Sequence, residues 1–261
     1  MSVTAHWYPG HMVRAMRHIG EALALVDVIV EAIDARVVRS GSNPSLARMI
    51  RRKPHLVVLT RGDLADPAVT RAWLDRFADR GLEAVAVDAR QVRGAARIVT
   101  LIKAKGRGRT LRAMVAGVPN SGKSSIVNAL LKRASARVQN RAGITRRTQW
   151  FRLSAGVEVL DTPGILPPRI ASPASQWKLA ASGAIPPDRY DPVEVARSLA
   201  RWAERYRLGA VPPFETFAAR GFVRRGGKVD EHNAAQSYLR AFGDGKFGRI
   251  SLESPDDEEA A

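Results

Sequence analysis

One nine-residue stretch, GVPNSGKSS at 117–125, constrains the fold of this 261-residue chain more than any other feature. It has a glycine, four intervening residues and then Gly-Lys-Ser, the pattern of a loop that wraps a phosphate chain. Glycine is needed because backbone N–H groups turn inward around the phosphates, where a Cβ atom would block the approach. The apolar segment 111–117 before the loop predicts a strand, and the amphipathic segment 124–131 after it predicts a helix.

Further apolar segments rich in Val, Ile and Leu recur before and after this loop, and segments with helical spacing lie between them. The segments with strand character are 28–33, 55–60, 82–88, 150–154 and 157–161. Their near-continuous apolar sequences are typical of strands that are covered on both faces. Alternating strands and helices predict an α/β class with a mainly parallel sheet and helices on both faces.

After about Ser172 the pattern changes from alternating strands and helices to helices alone. Prolines in the stretch that follows predict a linker. Beyond it the sequence predicts three helices, over 191–206, near 213–219 and near 230–242. These patterns together predict a small all-α carboxy-terminal domain.

The chain is therefore expected to have three parts. The first is an α/β domain over 1–170, and the second is a helical domain over 171–253. The third, SPDDEEAA at 254–261, is acidic and has no large apolar residue, which predicts a disordered tail.

Composition favours a polyanionic partner and a cytoplasmic location. The chain has 42 Lys and Arg against 25 Asp and Glu, a formal net charge of +17, whereas about 2 to 8 charges suffice for solubility. Basic side chains that neutralise phosphates release counterions and so drive nucleic-acid binding. Cysteine is absent, which excludes disulfides and thiol chemistry. No apolar run approaches the roughly 18 residues of a membrane span, and the start of the sequence lacks an export signal.

The phosphate loop predicts which residues hold a nucleotide and its magnesium ion. Lys123 is expected to reach the β and γ phosphates, and Ser124 to ligate magnesium. The other contacts are expected from the loop and the start of its helix, at Pro119, Asn120, Ser121, Gly122 and Ser125.

Two downstream stretches supply the expected switch residues. Asp161 ends the segment VEVLD and is placed to hold magnesium through water. Gly164, in the same Asp-Thr-Pro-Gly turn, can offer its N–H to the γ phosphate. Thr145, within RAGITRRTQW, is expected to contact magnesium and the γ phosphate only when triphosphate is bound.

A base-reading element is predicted upstream of the phosphate loop. Thr60, Arg61, Gly62 and Asp63 follow an apolar segment and resemble a degraded form of the guanine-reading Asn-Lys-x-Asp element. The carboxylate of Asp63 would accept two hydrogen bonds from guanine, a match that adenine cannot offer.

A second base-reading element is predicted at Asp88, Ala89 and Arg90, where the next apolar segment ends. The backbone N–H of Ala89 would donate to the guanine oxygen. Each of these short sequences is weak evidence when taken alone. Together with the phosphate-binding residues, they form a set that is complete in order and spacing. The two base-reading elements precede the phosphate-binding ones along the chain.

That rotated order resembles the circularly permuted GTPases, and within them the ribosome biogenesis GTPase A family, the RbgA and YlqF group. The strings that carry the resemblance are WYPGHM at 7–12, IDAR at 33–36, GVPNSGKSS at 117–125, AGIT at 142–145, DTPGIL at 161–166 and KFGRISLE at 246–253. The resemblance covers nearly the whole chain. It implies a Ras-like P-loop GTPase core with a circularly permuted motif order, GTP and GDP as ligands, and a helical domain that contacts RNA.

The resemblance also implies a role in late maturation of the large ribosomal subunit. The implied partners are rRNA, the precursor of that subunit and ribosomal proteins, and the protein would be a monomer away from the ribosome. GTP hydrolysis is expected to be slow until a ribosomal particle stimulates it. Because the helical domain directly follows DTPGIL, loss of the γ phosphate is expected to tilt that domain and so change RNA affinity.

The sequence leaves open which group positions the attacking water for hydrolysis. Ile165 stands where Ras-like enzymes keep a glutamine, so hydrolysis needs another group. The family implies a potassium ion held partly by Asn120, whose charge supplements Lys123. His11 is a second candidate to position water. The alternative is that its ring is hydrogen-bonded within the protein or faces RNA. Arg36 is open between a phosphate contact and an ion pair within the IDAR string.

Three positions depart from the family pattern. Thr60 and Arg61 stand where the family has Asn and Lys, and Ala142 stands where it has Pro. We expect Thr60 to lose an amide that braces the phosphate loop and Arg61 to replace a lysine stem that packs on the base. Guanine selectivity is then expected to be weaker, with Asp63 carrying the discrimination.

The sequence also leaves two alternative functions open and contains two clusters of basic residues suited to RNA. The rivals are an ATP-using P-loop enzyme with degenerate base selection, and a non-hydrolysing RNA-binding assembly factor. The basic residues suited to an RNA face are Arg220, Arg224, Arg225 and Lys228, with a second cluster at Lys103, Lys105, Arg107 and Arg109.

Overall fold

A seven-stranded sheet lies at the centre of the molecule. The structure is a computed structural model that describes residues 17, 19–88, 92–106, 110–134, 137–139, 149–153, 156–162, 164, 166, 170, 172–223 and 227–257. The strands are β1 (Val28–Asp34), β2 (His55–Thr60), β3 (Glu83–Ala86), β4 (Leu111–Ala116), β5 (Arg137–Gln139), β6 (Gln149–Leu153) and β7 (Val157–Asp161). Their order is β3-β2-β1-β4-β7-β6-β5, and β6 is antiparallel to both of its neighbours while the other pairs are parallel. The prediction of a mainly parallel α/β sheet is confirmed.

Helices cover both faces of this sheet. They are α1 (Val38–Gly41), α2 (Pro44–Ile50), α3 (Pro67–Asp79), α4 (Val92–Ala104) and α5 (Lys123–Ala134). Val30 of β1 packs in one cluster with Ile98 of α4 and Ile126 of α5. Ile33 of the same strand packs on the opposite face with Trp73 of α3. Every residue of β1 is buried, as expected for a central strand between two helical layers.

The carboxy-terminal region is helical, as predicted. Its helices are α6 (Pro173–Ala181), α7 (Pro192–Arg205), α8 (Phe214–Gly221) and α9 (Glu231–Gly243), with a 3₁₀ turn at Pro187–Arg189. Acidic side chains cap two of them: Asp191 accepts from the N–H of Val193 at 2.8 Å, and Asp230 accepts from that of Asn233 at 3.3 Å. Within the described ranges, no helix is long and apolar enough to cross a bilayer.

The predicted linker after Ser172 is wrong over Pro173–Ala181, because α6 occupies those residues. The side chain of Ser172 caps the helix by accepting from the N–H of Ser175 at 3.2 Å. Pro173 occupies the first turn, where its missing N–H leaves no intrahelical bond unmade. The proline that suggested a break is therefore a helix-start signal.

The helical region shares one apolar cluster with loops at the edge of the sheet. Leu199 of α7, Phe214 of α8 and Tyr238 of α9 are at its centre, and Val118 of the phosphate loop joins it. Tyr238 is fixed further by the hydrogen bond from its hydroxyl to the carbonyl of Pro212 at 2.7 Å. The region thus packs directly on the loops at the edge of the sheet.

The chain then returns to the sheet after α9. The N–H of Leu252 donates to the carbonyl of Arg36 at 2.7 Å, and Glu253 is buried. Beyond it, the carbonyls of Ser254 and Pro255 accept from Arg39 at 3.1 and 3.3 Å. These contacts tie the start of the expected tail to α1, and the division into three parts stays a prediction.

Candidate nucleotide-binding site

The candidate site residues lie at one edge of the sheet. Strands β1, β2, β3, β4 and β7 are parallel, so their carboxyl ends meet at this edge. Open parallel sheets bind ligands outside these ends. The loops that follow β2 and β3, encoded early, therefore lie beside the loops that follow β4 and β7, encoded later.

The phosphate loop between β4 and α5 has the backbone shape that its glycines suggest. A Cβ on Gly117 would lie 2.3 Å from the carbonyl oxygen of Ala32, so only glycine fits against β1. Gly122 has a φ of 89°, and Asn120 has a φ of 54°. Left-handed residues of this kind turn successive N–H groups toward one side of a loop, which makes an anion-binding concavity.

Two polar residues begin helix α5 at the end of this loop. The ammonium of Lys123 is buried and donates to the carbonyl of Val118 at 2.7 Å, which holds it inside the loop. Ser124 follows and is exposed. A glycine-containing loop that leads into a helix start, with a lysine and an accessible hydroxyl, suits a phosphate with a bound cation.

The Asp-Thr-Pro-Gly turn lies against the phosphate loop. A Cβ on Gly164 would lie 2.6 Å from Cα of Pro119 and 2.8 Å from Nζ of Lys123. Thr162 fixes the turn to β4 through the hydrogen bond from its hydroxyl to the carbonyl of Val115 at 2.7 Å. The backbone of Asp161 pairs with β4 next to it, and the position of its side chain is outside the described atoms.

Several predicted residues lie outside the described residues. They are His11, Ala89, Arg90, Arg107, Arg109, Ala142, Thr145, Ile165, Arg224 and Arg225. Their assigned roles stay predictions.

The base loop, residues 60–66, begins with a contact that the sequence did not suggest. The hydroxyl of Thr60 donates to the carbonyl of Ser121 in the phosphate loop at 2.7 Å and lies 3.2 Å from that of Ile33. The expectation that Thr60 fails to brace the phosphate loop is therefore wrong, because a hydroxyl donates here without an amide. The N–H of Gly62 donates to the carbonyl of Val87 at 3.4 Å, which places the base loop beside the residue before Asp88.

Arg61 joins three parts of the molecule. Its guanidinium donates to Asp34 at 2.9 Å, to the carbonyl of Asn120 at 3.0 Å and to that of Ser182 at 3.1 Å. These acceptors belong to β1, the phosphate loop and the residue after α6. Lysine, with a single ammonium, could not reproduce this fork.

Asp34 and Arg36 form a buried ion pair. The guanidinium of Arg36 binds both carboxylate oxygens of Asp34, at 3.0 and 2.9 Å. Burial raises the pKa of Asp34, but Arg36 and then Arg61 outweigh it and hold that pKa below its ordinary value. Of the two roles left open for Arg36, the structure shows the ion pair.

One more contact links the phosphate loop to the helical region. The side-chain amide of Asn120 donates to the carbonyl of Gly183 at 2.7 Å. Because Nδ2 is used in this bond, Oδ1 is the atom left to face a ligand. The sequence could not predict the contact between Asn120 and Gly183, because the acceptor is a backbone carbonyl 63 residues away.

The fold and this site define a P-loop nucleotide-binding protein whose base-reading loops precede its phosphate loop. The family model described as a 50S ribosome-binding GTPase matches residues 112–185. Ribosome biogenesis GTPase A of Priestia megaterium is 35% identical, over 98% of this chain and 99% of its own. That of Bacillus cereus is 36% identical, over 96% of this chain and 94% of its own.

A solved structure agrees with these relatives. GNP-bound YlqF from T. maritima is 30% identical, with a TM-score of 0.74 over 94% of this chain and 100% of that one. The chain belongs to the ribosome biogenesis GTPase A family and is a GTPase.

Proposed function

We propose that this protein binds and hydrolyses GTP in the cytoplasm as an assembly factor for the large ribosomal subunit, and that the bound nucleotide sets its affinity for rRNA. The observation that carries the proposal is the meeting of the base loop, the phosphate loop and the Asp-Thr-Pro-Gly turn at one sheet edge, in a chain of this family. Away from the ribosome the protein is a monomer with a GTPase domain, a helical RNA-binding domain and an acidic tail.

The base and the phosphates are held by different loops. Asp63 accepts from guanine, and the N–H of Ala89 donates to the guanine oxygen. The N–H groups of the phosphate loop and Lys123 bind the phosphates, and Gly164 offers its N–H to the γ phosphate. The left-handed backbone at Asn120 and Gly122 supports this assignment.

The residues present fit a hard divalent cation. Ser124, Thr145 and Asp161 supply oxygen donors, which magnesium prefers, and a bound magnesium would neutralise charge between the β and γ phosphates. Asn120 would hold potassium through Oδ1, in agreement with the use of its Nδ2 by Gly183. His11 is the residue of this chain proposed to position water, since Ile165 cannot, and Thr145 is proposed to contact magnesium and the γ phosphate.

The helical region provides the RNA face. Arg220 and Lys228 are exposed on it, as a phosphate contact requires. In the second basic cluster Lys103 is exposed, whereas Lys105 is paired with Glu83 at 2.5 Å and is less suited to RNA. The contacts of Asn120 and Arg61 with the residues after α6 give the nucleotide pocket a direct route to this face.

Sedimentation with ribosomal particles tests the proposal. The protein, loaded with a non-hydrolysable GTP analogue or with GDP, is centrifuged with the large subunit, its precursor and the small subunit. We expect association with the large subunit or its precursor only in the triphosphate state. Equal sedimentation in both nucleotide states would remove the switch from the proposal.

Nucleotide competition tests the choice of base. A labelled GTP analogue is displaced with GTP or with ATP, and GTP turnover is measured with potassium and large-subunit particles. We expect ATP to be a poor competitor. Equal competition would favour the ATP-using enzyme, and turnover at the level of the enzyme-free background would favour a non-hydrolysing factor.

A further inference from the structure

We propose that the segment after α9, residues 249–253, is a C-terminal strap that holds the base loop in its guanine-reading shape. Within it, Arg249 is a positioning residue that acts through Asp63. This inference rests on the proposed reading of guanine by Asp63.

Arg249 binds the base loop on both sides of Asp63. Its Nη2 donates to the carbonyl of Gly62 at 2.8 Å, and its Nε donates to the carbonyl of Ala65 at 3.0 Å. The two carbonyls are fixed to one planar guanidinium, so their separation is set by a rigid group. The backbone between them, which carries the Asp63 carboxylate, is thereby held as an arch.

The neighbours of Arg249 bind the rest of the same loop. The N–H of Ile250 donates to the carbonyl of Leu64 at 2.9 Å. The hydroxyl of Ser251 accepts from the N–H of Asp66 at 3.1 Å. Three consecutive strap residues therefore bind the base loop along its length.

The far end of the strap is anchored in the protein interior. The carboxylate of Glu253 accepts from the N–H of Ser40 at 2.9 Å and from its hydroxyl, and Lys178 lies 3.5 Å away. The carbonyl of Glu253 accepts from the indole of Trp73 at 3.1 Å. Because Glu253 is buried among these groups, the strap is the fixed partner and the base loop is the part that it holds.

The base loop needs such support in this chain. Arg61 has a φ of 54°, an uncommon conformation for a residue with a Cβ. A carboxylate that accepts two hydrogen bonds from guanine must be held at a defined angle, and a small displacement weakens both. Loss of the strap should therefore reduce base discrimination before it reduces phosphate binding, because the strap binds Gly62 and Ala65 on either side of Asp63, whereas the base-loop residues that contact the phosphate loop are Thr60 and Arg61.

Inosine diphosphate is the probe that isolates this effect, because it lacks the 2-amino group of guanine and keeps the rest. Dissociation constants for GDP and inosine diphosphate are measured by calorimetry for the wild type, Arg249→Ala, Arg249→Lys and Arg205→Ala. Arg205 is an exposed arginine at the end of α7 and serves as the control for charge loss. All variants are checked by thermal unfolding without nucleotide.

We expect Arg249→Ala to lower the ratio of GDP to inosine diphosphate affinity by about tenfold, the effect of losing a hydrogen bond to a charged group. Arg249→Lys should retain part of the ratio, and Arg205→Ala all of it. Equal loss of affinity for both nucleotides, or no loss, in Arg249→Ala would overturn the role of Arg249.

A second variant keeps the inference testable if Arg249→Ala does not fold. Ser251→Ala removes the acceptor for Asp66 with little change in volume, and it should lower the same ratio by a smaller factor. An unchanged ratio in a folded Ser251→Ala protein would count against the strap. A wild type that binds GDP and inosine diphosphate equally would instead contradict the reading of guanine by Asp63.

Discussion

At the scale of single residues, the site depends on positions where backbone groups approach closely. Gly164 is the clearest case, because the space beside it is bounded by Pro119 and Lys123. A glycine there allows the turn after β7 to touch the phosphate loop. In the proposed function this contact places the N–H of Gly164 near the γ phosphate.

We predict that Gly164→Ala weakens binding of a GTP analogue at least about tenfold more than binding of GDP. The added Cβ, 2.6 Å from the backbone of Pro119, must push the turn or the loop away, and it would lie 2.8 Å from Nζ of Lys123. Equilibrium titration with both nucleotides measures the difference. Gly209→Ala is the control, since its Cβ meets nothing within 4 Å, and equal weakening of both nucleotides would contradict the prediction.

Asp34 is a second position where one side chain stabilises its neighbours, since it binds the guanidinium groups of Arg36 and Arg61. We predict that Asp34→Asn lowers the free energy of unfolding by about 3 kcal/mol, because it leaves the buried guanidinium of Arg36 without its charged partner. Urea denaturation measures the change. Asp79→Asn, an exposed change at the end of α3, should have an effect below about 0.5 kcal/mol.

The same pair predicts a pH dependence. The pKa of Asp34 is lowered in the folded protein, so its ion pairs stabilise the fold fully above the ordinary value of 3.8 and are lost as the pH falls through the folded pKa. The stability difference between wild type and Asp34→Asn should therefore be constant from about pH 6 to 5 and shrink as the pH falls below 3.8. A difference that grows toward acid pH would contradict this sign.

At the scale of elements, Arg61 joins β1, the phosphate loop and the end of α6. We predict that Arg61→Lys increases amide hydrogen exchange at residues 182–184, because a lysine cannot bind the three acceptors together. Exchange in α8, which makes none of these contacts, should stay unchanged. Arg71→Lys on the exposed side of α3 is the matched control, and equal exchange in both variants would show that Arg61 does not hold α6.

The elements also show what local sequence could predict. The strands of the parallel sheet, the helix over Pro192–Arg205 and the phosphate loop were predicted because each has a local signal in apolar spacing, capping or glycine placement. The start of α6 was missed because Pro173 is compatible with both a linker and a first helical turn. The bonds of Thr60 and Arg249 were missed because they join residues 61 to 187 positions apart through backbone carbonyls, which carry no sequence identity.

At the scale of the whole molecule, the helical region is fixed to the nucleotide pocket at two places. Asn120 and Arg61 bind the residues after α6, and the C-terminal strap returns from α9 to the base loop. Contacts with the pocket loops therefore lie after the first helix of the region and again after its last helix. These two sets of contacts provide a route by which a change in pocket shape reaches the helical region, as the proposed nucleotide-controlled RNA face requires.

The net charge of +17 predicts a steep salt dependence of binding to ribosomal particles, and the proposed RNA face predicts which charges contribute. Removing two phosphate contacts in Arg220→Ala/Lys228→Ala should reduce the slope of log K against log salt by about 2. Titration of fluorescent precursor particles across potassium chloride concentrations measures this slope. The control, Arg71→Ala/Arg80→Ala, removes the same charge from two exposed residues outside the helical region, one in α3 and one directly after it. It should leave the slope within about 0.5 of the wild-type value. Equal slopes for the two double variants would mean that net charge alone, and not a face on the helical region, drives association.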